Sequence, residues 1–185
     1  MTSLLAWVEG TGLATWTRES TSIWAYPTIL TLHTIGLGIV VGGSAVIDLR
    51  LLGFARRIPI PSLASVFRII WWAFAVNAAT GVLLFMADAT TKSHQPVFYI
   101  KLTLIALALW TTTATRKMVT PAMPDLKVGP TYDGGGPTYD GGGPTYGGAW
   151  PTYDGVVPTG GKRVALASLL LWTGAIVAGR LMAYL

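Results

Sequence analysis

Cysteine is absent from this 185-residue chain. Its absence excludes disulfides, thiolate metal centres, iron–sulfur clusters and covalent c-type haem attachment, and leaves the compartment open. Charge is scarce as well: 13 Lys and Arg and 8 Asp and Glu make up 11% of the residues. A soluble domain carries roughly a quarter. The basic residues stand at the ends of apolar runs instead of forming one dense patch, so this is not a nucleic-acid footprint, and no nucleic-acid partner is expected. No nucleophile–base pair and no phosphate loop can be found, which argues against hydrolysis and phosphoryl transfer. Histidine occurs only twice, as His33 and His94.

What remains is apolar. Hydrophobic residues make up 52% of the chain, and the mean hydropathy is +0.55. That is the composition of a protein whose solvent is a lipid bilayer. Four long apolar runs lie at 27–57, 66–89, 97–115 and 164–185. A helix rises about 1.5 Å per residue, so each covers most or all of a hydrocarbon core of roughly 30 Å. The expected fold class is therefore all-α: a polytopic membrane protein with four transmembrane helices in a bundle, preceded by an N-terminal interfacial helix. The chain divides into an amphipathic segment (1–26), transmembrane helices one to three (27–117), a loop (118–163) and the fourth helix (164–185).

Residues 1–26 lack the basic start and continuous apolar stretch of a cleavable signal. Leu4, Trp7, Leu13, Trp16, Ile23 and Trp24 alternate with Glu9, Arg18 and Glu19. This pattern predicts a helix at headgroup depth, broken between Gly10 and Gly12. Arg56, Arg57 and Arg68 flank the first loop, and Arg116, Lys117, Lys127, Lys162 and Arg163 flank the third, whereas the opposite side offers only Arg18 and Lys92. The positive-inside rule places both basic loops in the cytoplasm and both termini outside. Pro130, Pro137, Pro144, Pro151 and Pro158 recur every seven residues in PTYDGG-like units. Proline and glycine in each unit forbid a helix, so the tract reads as a linker, or as a docking segment presenting tyrosines and Trp150 to other membrane subunits.

The first span is unusual inside. It carries His33 near its start, Gly36, Gly38, Gly42, Gly43 and Ser44 in its middle, and Asp48 and Arg50 near its end. Small residues admit a close backbone or a flat ring, and ionisable groups at membrane depth point to a use. The glycine face, Gly38 and Gly42 included, is expected against another helix or a cofactor and not against lipid. Asn77, Thr80, Gly81, Leu84 and Asp88 share one face of span two, Lys101, Leu104, Ala108, Thr111 and Thr115 one face of span three, and Thr173 and Arg180 one face of span four. His33, His94, Lys101 and Arg180 then fall in the same membrane half. Such a pocket suits a b-type haem, ligated by His33 and His94 with its propionates toward Lys101 and Arg180, while Gly36 and Asn77 line it. Copper held by His33, His94 and Met86 or Met182 is a second possibility, and a quinone headgroup between His33 and Lys101 a third.

The runs LHTIGLGIVVGGSAVIDLRLLG, WWAFAVNAATGVLLF and VFYIKLTLIALAL resemble an uncharacterised family of small bacterial four-helix inner-membrane proteins. The lead-in WVEGTGLATWTRESTSIWAYP is similar to that family too, so the resemblance covers residues 4–115 and, loosely, the last helix. More distantly, a first-helix histidine and the F-x-x-K of Phe98 to Lys101 resemble copper-resistance D proteins and small membrane protoporphyrinogen oxidases. That second resemblance implies functional roles for His33 and Lys101 and association with haem; it does not extend to His94. Two functions follow as expectations: a haem- or metal-binding electron-transfer protein, or a non-catalytic accessory subunit of a larger membrane complex.

Overall fold

The computed structural model describes residues 2–54, 58, 63–119, 160–182 and 184, together with the backbone of 138–139 and 144–145. The protein is all-helical, with α1 (Thr2–Glu9), α2 (Gly12–Glu19), α3 (Tyr26–Leu52), α4 (Leu63–Met86), α5 (Ala89–His94), α6 (Pro96–Val119) and α7 (Gly161–Leu181). The one further element described is an antiparallel ladder of two residues per strand, β1 (Thr138–Tyr139) and β2 (Pro144–Thr145), in the proline-repeat tract. The rest of that tract, Arg56, Arg57 and Lys127 lie outside the described residues.

Four helices, α3, α4, α6 and α7, are long and apolar enough to cross a membrane. Even α7, with 21 residues, rises about 31 Å, a full hydrocarbon core. Several boundaries differ from the hydropathy reading, among them the ends of the second and third spans. The second span ends at Met86, not at 89, because the chain turns at Ala87 and Asp88 and restarts as α5, with Asp88 at its N-cap position. The third runs past Thr115 to Val119, since Thr115 is buried and Arg116 and Lys117 lie within the last helical turn. α3 stops at Gly53, whose φ of 94° belongs to the left-handed region. There Phe54 N–H reaches Leu49 O at 3.0 Å and Gly53 N–H reaches Arg50 O at 3.1 Å. This paired closure satisfies carbonyls that a helix end leaves open, and a side chain at Gly53 would strain it.

α3 is the central helix: 39% of its most apolar window is buried, against 17–28% for the other three. It packs on α4 and on α7, and α7 packs on α6. Close approach to α4 comes from Gly36, beside Asn77 and Ala73, and from Gly43, beside Ile70. A Cβ on Gly43 would lie 2.8 Å from Ile70 Cγ1. Gly38 and Gly42 behave otherwise. Both are exposed and have nothing within 4 Å of a Cβ position, so the expected burial of the whole glycine face fails there. The reason is angular: seven residues separate Gly36 from Gly43 and return to one face, whereas Gly38 and Gly42 point to another.

The apolar core lies toward the end marked by Arg50, Arg68 and Arg116. It is built from Val40, Ile47 and Leu51 of α3, Phe67 and Ile70 of α4, Ala108 of α6, and Ala165 and Trp172 of α7. The opposite end, where His33 lies, is held more by polar contacts and small residues. Thr31, Thr34, Thr80 and Thr103 each donate a hydroxyl hydrogen bond to a carbonyl of their own helix, as do Thr111 and Thr112 nearer the arginine end and Thr173 in α7. That local bond lets a threonine sit at membrane depth without an outside partner.

Candidate functional site

The N-terminal helices bear on the His33 end. The Thr90 backbone N–H donates to Glu9 Oε1 at 2.7 Å, tying α1 to the first turn of α5. A carboxylate there meets unpaired helical N–H groups and the positive end of the helix dipole. Hydrogen bonds from the Thr90 side chain and backbone hold the Glu9 carboxyl below its ordinary range. Arg18 pairs with Glu19 at 2.9 Å and reaches Ala87 O, just past the end of α4, at 3.4 Å. Ala14, Thr17, Ala25, Ala87 and Ala89 are buried, while Leu4, Trp7, Leu13, Ile23 and Trp24 remain exposed. Residues 2–19 thus form two helices, one on α5 and one on α4, with an apolar outer surface suited to lipid.

Within the bundle, His33 sits on the second turn of α3 and faces α4. Its Nδ1 lies 2.9 Å from the Asn77 backbone oxygen and 3.2 Å from Thr80 Oγ1. Thr80 already donates its own proton to Val76 O at 2.8 Å. With a carbonyl as the nearer partner, Nδ1 carries the hydrogen and Nε2 keeps its lone pair. Gly81 makes this approach possible, because a Cβ there would stand 3.1 Å from His33 Cε1. Asn77 also packs its side chain on Gly36, and its Oδ1 is buried without a partner among the described residues.

The F-x-x-K segment of α6 is split between two neighbours. Phe98 stacks on Phe85 of α4, with ring centroids 5.0 Å apart and planes 13° from parallel. One turn later Lys101 lies along α7 over Gly179, whose Cβ position is 3.5 Å from Nζ. A Cβ at 179 would meet the lysine in ordinary van der Waals contact. The charges of Lys101 and Lys92 both reach the His33 imidazole. Lys92 Nζ donates to Leu84 O at 3.1 Å, so it caps the carbonyl end of α4.

The structure therefore brings His33, Asn77, Gly36 and Lys101 into one region and leaves other candidates apart. His94 is exposed on the last turn of α5. It follows the buried Ala89 by five positions, about 140° around the helix. Met86 is half-buried at the end of α4, five residues past Gly81 and so about 140° around the helix from the position that meets His33. Arg180 is exposed and stacks over Tyr184, its guanidinium 5.5 Å from the ring centroid. The buried stripe of α7 runs through Ser168, Trp172, Ala175 and Ala178; Arg180 is two residues further, about 200° off that stripe. The second cation near His33 is Lys92, not Arg180. Thr80, Gly81, Lys92 and Gly179 are the contributors that the sequence reading left outside the site. Gly81 on the Asn77 face was the available clue, since it marks where a ring can approach α4.

This set offers one imidazole whose Nδ1 is held by the Asn77 carbonyl, leaving Nε2 open, within the electrostatic reach of two ammonium groups. Such an arrangement can ligate a metal or haem iron, or hydrogen-bond a carbonyl oxygen, and it can hold carboxylates nearby. Among the described residues, no three His, Asp or Glu side chains cluster as a metal site.

A separate polar group lies deeper in the other half. Asp48, only 2% exposed, faces Ser168 of α7, and Asp48 Oδ2, Ser168 Oγ, Ser44 Oγ and Trp172 Nε1 find no partner among the described residues. Comparison with family models, with curated proteins and with solved structures finds no match.

Proposed function

We propose that this chain is an integral protein of the bacterial inner membrane that binds b-type haem through His33 and serves in electron transfer. The observation that carries this reading is the His33–Asn77 hydrogen bond. A ligating histidine is ordinarily fixed by donating its other ring N–H to a carbonyl or carboxylate, which orients the ring and raises the basicity of the ligating nitrogen. Here Nδ1–H makes that bond and Nε2 is left to bind. Lys101 and Lys92 are the cations suited to the haem propionates. When bound, the haem supplies a one-electron couple. The protein's part is to hold the ring nitrogen, neutralise the carboxylates and keep the apolar face in hydrocarbon. Basic residues concentrate at the end opposite His33, which supports a site in the periplasmic half and both termini in the periplasm.

The same pair, His33 and Lys101, would serve a quinone headgroup. Copper is less well supported, because His94 and Met86 do not accompany His33. One observation favours the accessory-subunit reading: Gly38 and Gly42 form an exposed, open strip on α3, the kind of surface on which another transmembrane helix packs closely. Tryptophans exposed on the surface and the 130–158 tract would then contact other subunits. Expression with haem in excess, purification in detergent and a pyridine haemochrome assay separate the readings. Stoichiometric b-type haem supports the first, and a well-folded protein free of haem refutes it.

A further inference from the structure

Thr111 and Thr112 satisfy their hydroxyls on a carbonyl of α6, but two serines in the same half of the bundle do not. Ser44 Oγ and Ser168 Oγ are buried without a partner among the described residues, as are Asp48 Oδ2 and Trp172 Nε1. Each of these four residues is at most 2% exposed. Asp48 of α3 faces Ser168 of α7, and the two helices pack together. They run antiparallel, because α7 ends beside Lys101, whose charge reaches His33 near the start of α3. One turn separates Ser44 from Asp48, and one turn separates Trp172 from Ser168, a rise of about 6 Å on each helix. With Asp48 set against Ser168, the antiparallel register puts Ser44 and Trp172 at a common level, one turn deeper in the membrane.

We propose that Asp48 is a proton-binding site within the membrane, held as a carboxylic acid against Ser168, with one water molecule joining the pair to Ser44 and Trp172. Charge decides the proton. An ionised carboxylate taken out of water is costly unless a cation accompanies it. Arg50, Arg68, Arg116, Lys162 and Arg163 share this end of the bundle, but none of these charges acts on Asp48. Arg50 Nε donates instead to Ile58 O at 2.8 Å. Hydrogen-bond chemistry decides the water. The indole N–H can only donate, so a bound metal cation would leave it unpaired. Water accepts from Trp172 and donates to Ser44 or to a carboxyl oxygen. Proton uptake breaks no covalent bond of the protein: a proton from solvent adds to one Asp48 oxygen and cancels the carboxylate charge. The path is short, because Asp48 lies one turn, about 6 Å, before the end of α3 at Leu52.

The test is infrared spectroscopy of the full-length protein in detergent at neutral pH, comparing wild type with Asp48→Asn, Ser168→Ala and Trp172→Phe. The wild type is expected to show a carboxylic-acid C=O band that Asp48→Asn loses. Ser168→Ala and Trp172→Phe should each move that band to higher wavenumber, the first by removing a direct hydrogen bond and the second by releasing the water. Thermal melting establishes that each variant is folded, and Ser44→Ala reads the same layer should Trp172→Phe not fold. The absence of any carboxylic-acid band that distinguishes wild type from Asp48→Asn would mean an ionised carboxylate and overturn the proposal. A band that neither substitution moves would overturn the shared network. Loss of the band when sodium chloride replaces choline chloride would assign Asp48 to a sodium ion and overturn the proton.

Discussion

His33 of α3 and Gly81 of α4 are matched in space: the imidazole occupies the volume that a side chain at 81 would fill, 3.1 Å from the Cβ position. The glycine lies one turn beyond Asn77, whose carbonyl takes the Nδ1 hydrogen. An empty position on one helix thereby sets the orientation of the imidazole on the next.

Gly81→Val tests this match. The added bulk must displace the ring or separate the helices, a form of overpacking that costs about 1–3 kcal/mol. The expected result is a lower melting temperature in detergent together with loss of whatever ligand His33 holds. Gly81→Ala should show the same effects in weaker form.

The glycines of α3 give a contrast. Gly43→Leu should destabilise by about 1–3 kcal/mol or more, because Ile70 already occupies the space. Gly42→Leu, with nothing within 4 Å of its Cβ position, should leave the melting temperature of the isolated chain unchanged. If Gly42→Leu instead separates the chain from co-purifying membrane proteins, the exposed strip is a docking surface.

Legibility followed the range of the interactions. The spans could be read because hydrocarbon imposes length and composition on each helix separately. The same logic placed Asn77, Thr80 and Leu84 on one buried face of α4. Periodicity could not decide which glycines of α3 meet α4, since that depends on where the neighbour sits. Nor could it show the partner of His33, a backbone carbonyl 44 residues away that no side-chain motif displays. Arg180 shares the depth of the site but not its direction, and depth alone was what the spacing revealed. Lys92, in a short polar stretch, entered the sequence argument only as a charge near a span end.

Acid should loosen the N-terminal helices. Glu9 is held below its ordinary range by Thr90, so the docking of α1 on α5 is fully present above the unfolded carboxyl range. It is lost as pH falls through the lowered folded value, beneath the ordinary glutamate range. Protection of the α1 and α5 amides against hydrogen exchange, taken relative to the intrinsic rate at each pH, should fall in that window. Glu9→Gln should remove the pH dependence. Unchanged protection between pH 6 and pH 3 in the wild type would contradict the assignment.

Asp48 is a separate test of what the arginine half requires. It is buried beside Ser168 with no ion pair among the described residues. Leaving polar atoms unpartnered costs about 1–3 kcal/mol each. Asp48→Asn removes the charge while keeping the shape, and thermal melting should show it at least as stable as the wild type. Marked destabilisation would mean that the carboxylate itself has a partner to hold.

The most direct measurement for His33 is the visible spectrum of three proteins expressed with excess haem: wild type, His33→Ala and Lys101→Ala. The account predicts a Soret band in the wild type, none in His33→Ala, and a weakened or shifted band in Lys101→Ala, because the imidazole is the ligand and the ammonium only neutralises carboxylates. A well-folded His33→Ala protein that keeps the wild-type Soret band would contradict it.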